Sequence, residues 1–146
     1  MSVNWNEILT EIVNKFSADI GIIHRLNFED DHLYSVVRVG VFPPEVIQFT
    51  QRVPIGKGIS GMTVQTKKPL VFNNLLTATS PIIRPGARTV GIRGMVCVPI
   101  FLNQEVIGTL GLGCAHEREF TTEEIAQISE IANQYAYELC REANYV

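Results

Sequence analysis

Two runs near the C-terminal third, Gly94–Leu102 (GMVCVPIFL) and Glu105–Cys114 (EVIGTLGLGC), are separated by Asn103 and Gln104 alone. Both are strand-length and, apart from Glu105, uncharged. A two-residue connection closes a hairpin, whereas parallel strands need a crossover of a dozen residues or more. A second pair of strands is expected at 19–26 (DIGIIHRL) and 33–39 (LYSVVRV), joined by the loop 27–32. A series of hairpins implies an antiparallel sheet.

Helices are expected at both ends. Over 4–17, Trp5, Ile8, Leu9, Ile12, Val13 and Phe16 recur at helical spacing, and Asn4 with Glu7 fits a capping box. Thr121-Thr122-Glu123-Glu124 is a second capping box, followed by Ile125, Ile128, Ala132, Tyr135 and Leu139 as one helix. Between the hairpins, a short helix or turn is expected at 45–49 and a short strand near 50–54. A helix follows at 59–67, ending before Pro69, then a strand at 70–73. Residues 75–93 are rich in Pro, Gly, Thr and Arg and read as a long loop, of the kind that usually serves function. The class is α+β, and 146 residues suit one domain with a real core.

The net charge of −3 argues against a nucleic-acid partner, but its distribution is uneven. The 59 residues from Val46 to Gln104 carry seven basic side chains and no acidic one: Arg52, Lys57, Lys67, Lys68, Arg84, Arg88 and Arg93. A local positive region favours anions; the competing reading is a set of solvated loop charges. No apolar run is long enough to span a membrane, and the first residues show no signal-like stretch. A cytoplasmic protein that starts at its own methionine is expected, without a membrane partner. Cys97, Cys114 and Cys140 are widely spaced and form no C-x-x-C pair, so no zinc or other metal site and no cofactor are expected, and the thiols read as reduced core residues.

Gly56, Gly58 and Gly61 spell G-x-G-x-x-G. In a dinucleotide-binding unit that pattern joins a strand to a helix in a parallel sheet, with an acid about 20 residues on. Here the next acid is Glu105, and the sheet is antiparallel by expectation. One remaining reading is a tight turn at a helix start, with Gly61 allowing close packing. Another adds an anion site on the exposed amides of Gly58, Ile59 and Ser60.

The chain resembles the GAF domains over nearly its whole length, as a single domain spanning 1–146. The residues that carry the resemblance are Ile55-Gly56-Lys57-Gly58-Ile59-Ser60-Gly61 and Lys68-Pro69-Leu70-Val71-Phe72-Asn73-Asn74-Leu75, then Arg93-Gly94-Met95-Val96-Cys97-Val98-Pro99-Ile100. Asn103-Gln104-Glu105-Val106-Ile107-Gly108-Thr109-Leu110 follows, with Phe120-Thr121-Thr122-Glu123-Glu124 and Ile131-Ala132-Asn133-Gln134-Tyr135-Ala136 in the last helix. The resemblance implies a six-stranded antiparallel sheet with the N- and C-terminal helices on one face. It places a ligand pocket on the other face, closed by residues 55–93, and a homodimer through the terminal helices.

Activities known in that family can be weighed on these residues. The N-K-x-F-D-E set of cyclic-nucleotide binders is absent, and no cysteine lies between 53 and 96 to attach a bilin. Methionine-sulfoxide-reductase members use cysteines near that segment, whereas Cys97 and Cys114 fall on expected core strands; redox work needs an accessible thiolate. A haem needs an axial ligand, but His32 sits in a loop, His116 follows the last strand, and His24, mid-strand beside Ile22 and Ile23, reads as a satisfied core histidine. Non-haem iron would want carboxylates that the pocket segment lacks.

The resulting expectation is a non-enzymatic sensor without catalytic residues. It binds a small, anionic ligand and signals to a partner such as a two-component sensor kinase, as stand-alone nitrate-receptor members of the family do. The expected site residues are Gly58, Ile59, Ser60, Tyr34, Phe42, Phe72, Arg84, Arg88, Val90 and Arg93. A ligand-free dimerisation or adaptor domain is the main alternative; a methionine sulfoxide reductase and a haem sensor stand behind it.

Overall fold

A computed structural model describes residues 3–83 and 91–142. Eleven elements follow one another along these residues: α1 (Trp5–Lys15), β1 (Ile20–Asn27), β2 (His32–Val39), α2 (Pro44–Thr50), β3 (Arg52–Pro54), α3 (Gly58–Thr66), β4 (Leu70–Phe72), β5 (Gly94–Leu102), β6 (Glu105–Cys114), α4 (Thr122–Gln134) and α5 (Ala136–Cys140). The six strands form one sheet in the order β3-β2-β1-β6-β5-β4, and every neighbouring pair is antiparallel. The β5–β6 hairpin turns through Asn103 and Gln104, both at positive φ, and β6 then pairs with β1 to join the two hairpins at the sheet centre.

The two faces of the sheet are dressed differently. On one, α1 covers β1 and β2 while α4 and α5 cover β5 and β6. Leu9, Ile12, Val13 and Phe16 of the first helical layer and Ile128, Ala132 and Leu139 of the second close over Val96, Val98, Ile100, Leu110 and Leu112, all buried. Burying a side chain of this size contributes about 1.5–3 kcal/mol, so this layer dominates stability. The Thr121 hydroxyl and the Glu124 carboxylate complete a reciprocal capping box on α4. At α1, the Asn4 side chain accepts from the Glu7 amide. The chain ends are tied together where Trp5 Nε1 donates to Glu142 Oε2 at 2.6 Å.

One helix was expected from 122 onward; two are present. The break falls at Tyr135, whose amide is shared between the carbonyls of Ala132 and Asn133. Beside the break, Asn133 Oδ1 accepts the Phe101 amide at 2.8 Å. That bond ties the end of α4 to the bulged part of β5.

Candidate functional site

On the opposite face α3 lies across β5 and β6, and α2 lies near β3. The glycine loop explains how α3 can sit there. Gly56 and Gly58 both have positive φ, which turns the chain sharply into the helix, and a Cβ at Gly61 would meet the Pro54 carbonyl at 2.3 Å. All three glycines therefore have a steric reason, and none requires a dinucleotide. Lys57 caps α3 without a side-chain bond, and the helix has no acidic residue in its first turn. Its first amides, at Gly58, Ile59 and Ser60, point out of the helix start with no intrahelical acceptor.

Beneath α3 and α2 is a cavity of about 90 Å³. Its floor is the sheet. Along β6, Leu110 and Leu112 point to the helical layer, while Gly111 and Gly113 alternate with them and present no side chain to the cavity. Its walls are Ile20, Ile22, Phe42, Val46, Phe49, Leu75, Ile92 and Met95, and its roof carries Gly58, Ile59 and Ser60. A water occupies roughly 30 Å³ of liquid, so the space suits a ligand of a few heavy atoms. A wider, open groove of about 690 Å³ lies between Trp5 of α1, the end of β2 and Ile47 of α2, and Phe42 lines both spaces.

His24 is the buried titratable group of the cavity wall. Its Nε2 lies 2.7 Å from the Thr50 carbonyl. A carbonyl only accepts, so Nε2 carries the proton. Burial lowers the His24 pKa to about 4, the Thr50 bond opposing and the Arg38 charge assisting that shift, so the ring is neutral near pH 7. Its Nδ1 is buried and has no partner among the described residues. Arg38 directs one guanidinium nitrogen at Ser35 Oγ, the Ile47 carbonyl and Thr50 Oγ1, holding α2 against β2. Cys97 lies on this face too, 4.0 Å from Ser60 Oγ, and burial pushes its thiol pKa up. Cys114 is also buried.

The structure brings four of the expected site residues to one place: Gly58, Ile59, Ser60 and Phe42 line the cavity. Three others do not. Tyr34 turns its hydroxyl to the Asp30 carboxylate and to Arg52 Nε, because its strand position points away from the cavity. Phe72 is half-buried on the edge strand β4, packed with the apolar cluster of Ile20, Ile59 and Leu75 behind the wall. Arg93 is exposed and contributes backbone bonds to Leu75 and Cys114. Arg84, Arg88 and Val90 lie outside the described residues. The described members of the basic run do not focus on the site: Arg52, Lys57, Lys67, Lys68 and Arg93 are all exposed, and Arg52 pairs with Asp30. Two features had a sequence signal that charge reasoning passed over. His24 stands two residues from Ile22 on the same strand face, and the G-L-G alternation at the end of β6 marks a face without side chains.

Among the described residues no group of three or more His, Cys, Asp or Glu is placed to hold a metal, and no helix is long and apolar enough to cross a membrane. The family model described as GAF domain matches residues 6–138. No curated protein matches the sequence. Solved structures share the fold at low identity. A type II free methionine-R-sulfoxide reductase from Thermoplasma acidophilum is 16% identical, with 92% of this chain and 89% of that chain covered and a TM-score of 0.77. The GAF domain of a phosphoenolpyruvate-protein phosphotransferase from Coxiella burnetii is 18% identical, covering 92% and 79%, at a TM-score of 0.77. A Staphylococcus aureus NreA protein mutated in its nitrate binding site is 20% identical, covering 87% and 94%, at a TM-score of 0.72. The expectation that this chain is not an enzyme is withdrawn on this finding. Reductases share its fold over 78% to 89% of their own length, and the lack of a cysteine between 53 and 96 does not bar catalysis by other residues.

Proposed function

The chain belongs to the GAF domain family, and on that premise we propose that it binds a compact, mainly apolar small molecule in the cavity under α3. An acceptor group of the ligand, a carboxylate or other small anionic end, sits on the amides of Gly58, Ile59 and Ser60. The observation that carries the reading is the pairing of those open amides with walls that are apolar apart from His24 and Thr50. The helix start supplies donors and a partial positive charge, and no basic side chain among the described residues lines the cavity to add to it. A bare inorganic anion would leave the apolar walls without contacts, so an organic body with an acceptor end suits the space better. The proposal extends to signalling: α2 and α3 form the wall and roof, so an occupied cavity holds them in a position that a partner such as a sensor kinase reads. Homodimerisation through the terminal helices keeps a reduced basis, because their apolar stripes are largely spent on the sheet and Tyr137 is their exposed large apolar residue.

The test is calorimetric titration with small carboxylates of three to six carbons, with nitrate and phosphate, and with the matched neutral alcohols. Carboxylates should bind and be lost when Gly111→Val fills the floor. Binding of nitrate alone, unaffected by Gly111→Val, would refute the organic ligand. Silence from every compound would refute the cavity as the site.

A further inference from the structure

One residue of the cavity wall, His24, carries a ring nitrogen whose hydrogen-bonding character is opposite to that of the helix start. His24 is 1% exposed, yet only one of its two ring nitrogens has a partner. The Thr50 carbonyl fixes the proton on Nε2, which leaves Nδ1 as a lone pair with nothing to accept from. Leaving a buried acceptor unpaired is costly, and native proteins rarely do it without a water or ligand to complete the bond.

The neighbours do not supply the missing donor. Thr109, directly opposite His24 in the β1–β6 register, turns its buried hydroxyl to the Cys97 thiol, a weak partner, and Arg38 Nε is buried and unpaired. The Arg38 Nη2 nitrogen is committed to Ser35, Ile47 and Thr50. All three atoms belong to strands β2, β1 and β6, whereas Nδ1 is the one whose residue lines the cavity.

Resting on the binding reading above, we infer that the ligand carries a hydrogen-bond donor, a hydroxyl or an N–H, which it delivers to His24 Nδ1 while its acceptor end occupies the amides of α3. The ligand class is then a compact hydroxy or amino acid derivative with an apolar side chain, and its deoxy analogue is the compound the site rejects. His24 is the specificity-determining residue. A site built to bond a donor discriminates against an analogue that lacks it, because the analogue leaves the buried acceptor empty.

The experiment uses matched probes, 2-hydroxy-3-methylbutyrate against 3-methylbutyrate and 2-hydroxybutyrate against butyrate, titrated into the full chain and into His24→Gln. Glutamine keeps a side-chain N–H for the Thr50 carbonyl and replaces the ring-nitrogen acceptor on Cγ by a carboxamide oxygen one carbon further out, off the Nδ1 position. Nitrogen-15 spectra of the histidine rings report the same atom directly. The expected result is binding of the hydroxy member at least about tenfold tighter, an Nδ1 resonance that moves from a free to a hydrogen-bonded position on saturation, and loss of the preference in His24→Gln. Equal affinity within each pair overturns the inference and leaves the binding reading standing. So does a preference that survives in His24→Gln, or an Nδ1 already hydrogen-bonded in the free protein, which assigns the place to a buried water. Failure of all four probes to bind overturns both.

Discussion

One strand writes two kinds of surface. On β6, Leu110 and Leu112 are fully enclosed by the helical layer, and the gap remaining there, between Trp5, Ile12, Ile23, Ile100, Leu110, Ala132, Tyr135 and Leu139, is about 10 Å³. On the other face of the same strand, Gly111 and Gly113 floor a cavity of about 90 Å³. The residues with unpaired or weakly paired buried atoms, His24, Arg38 and Thr109, all belong to strands of this sheet, and His24 lines that cavity. The helical side is packed for stability. The cavity side gives up packing and hydrogen bonds, as a surface does when it is kept ready for an occupant.

Adjacent substitutions break the comparison if it is wrong. Leu112→Ala should destabilise by about 3–5 kcal/mol in urea unfolding, since it opens a void in a layer whose remaining gap is about 10 Å³. Its neighbour Gly111→Val should change stability by no more than about 1 kcal/mol, because a Cβ there makes ordinary contacts, with Ile22 at 3.4 Å, Met95 at 3.5 Å and the Val96 carbonyl at 4.0 Å. If the two variants cost the same, the faces do not differ in kind.

A pH titration sharpens the same contrast. His24 has a folded pKa of about 4 against an ordinary value of 6.5, so the unfolded chain takes up the proton first. Its contribution is fully present above pH 6.5 and lost as the pH falls toward 4, a change of about 3 kcal/mol for a shift of this size. In His24→Gln the unfolding free energy should be flatter across that window, measured against wild type at each pH. An unchanged slope would place the pH response elsewhere. The smallest effect belongs to Ser60→Ala. If the amides hold the ligand, losing the hydroxyl should move affinity by less than about threefold and stability by less than about 0.5 kcal/mol. A loss of tenfold or more would make the Ser60 side chain, and not the backbone, the binding group.

The sequence spoke most clearly where one periodicity was at work. The β5–β6 hairpin lies where its apolar runs and two-residue tip put it, and α1 buries the stripe that its spacing marks. The cavity was harder to read because it is defined by what is missing. Glycine at 111 leaves a space that no hydropathy pattern registers, glycine at 113 lets Ile20 and Ile92 close in, and a histidine after two isoleucines looks the same whether one or both of its nitrogens are satisfied. Tyr34 and Phe72 were placed by position along the chain; the parity of its strand turns Tyr34 to the other face, whereas Phe72 is on the cavity face but packs behind the wall. Charge was legible only as a run along the chain. The described members of that run extend into solvent, Arg52 pairing with Asp30 of the β1–β2 loop.

The single tryptophan belongs to the packed side. Trp5 is 7% exposed, its ring stands edge-on to Tyr135 at 6.3 Å, and its indole N–H is held by Glu142. The protein therefore contains its own optical probe, located across the sheet from the cavity. Trp5 does not line the cavity under α3, so its emission reports the docking of the two chain ends and the open groove it borders, not contact with a ligand held in that cavity. A change in that emission on ligand addition is thus a measure of mechanical transmission through the sheet, separable from binding itself.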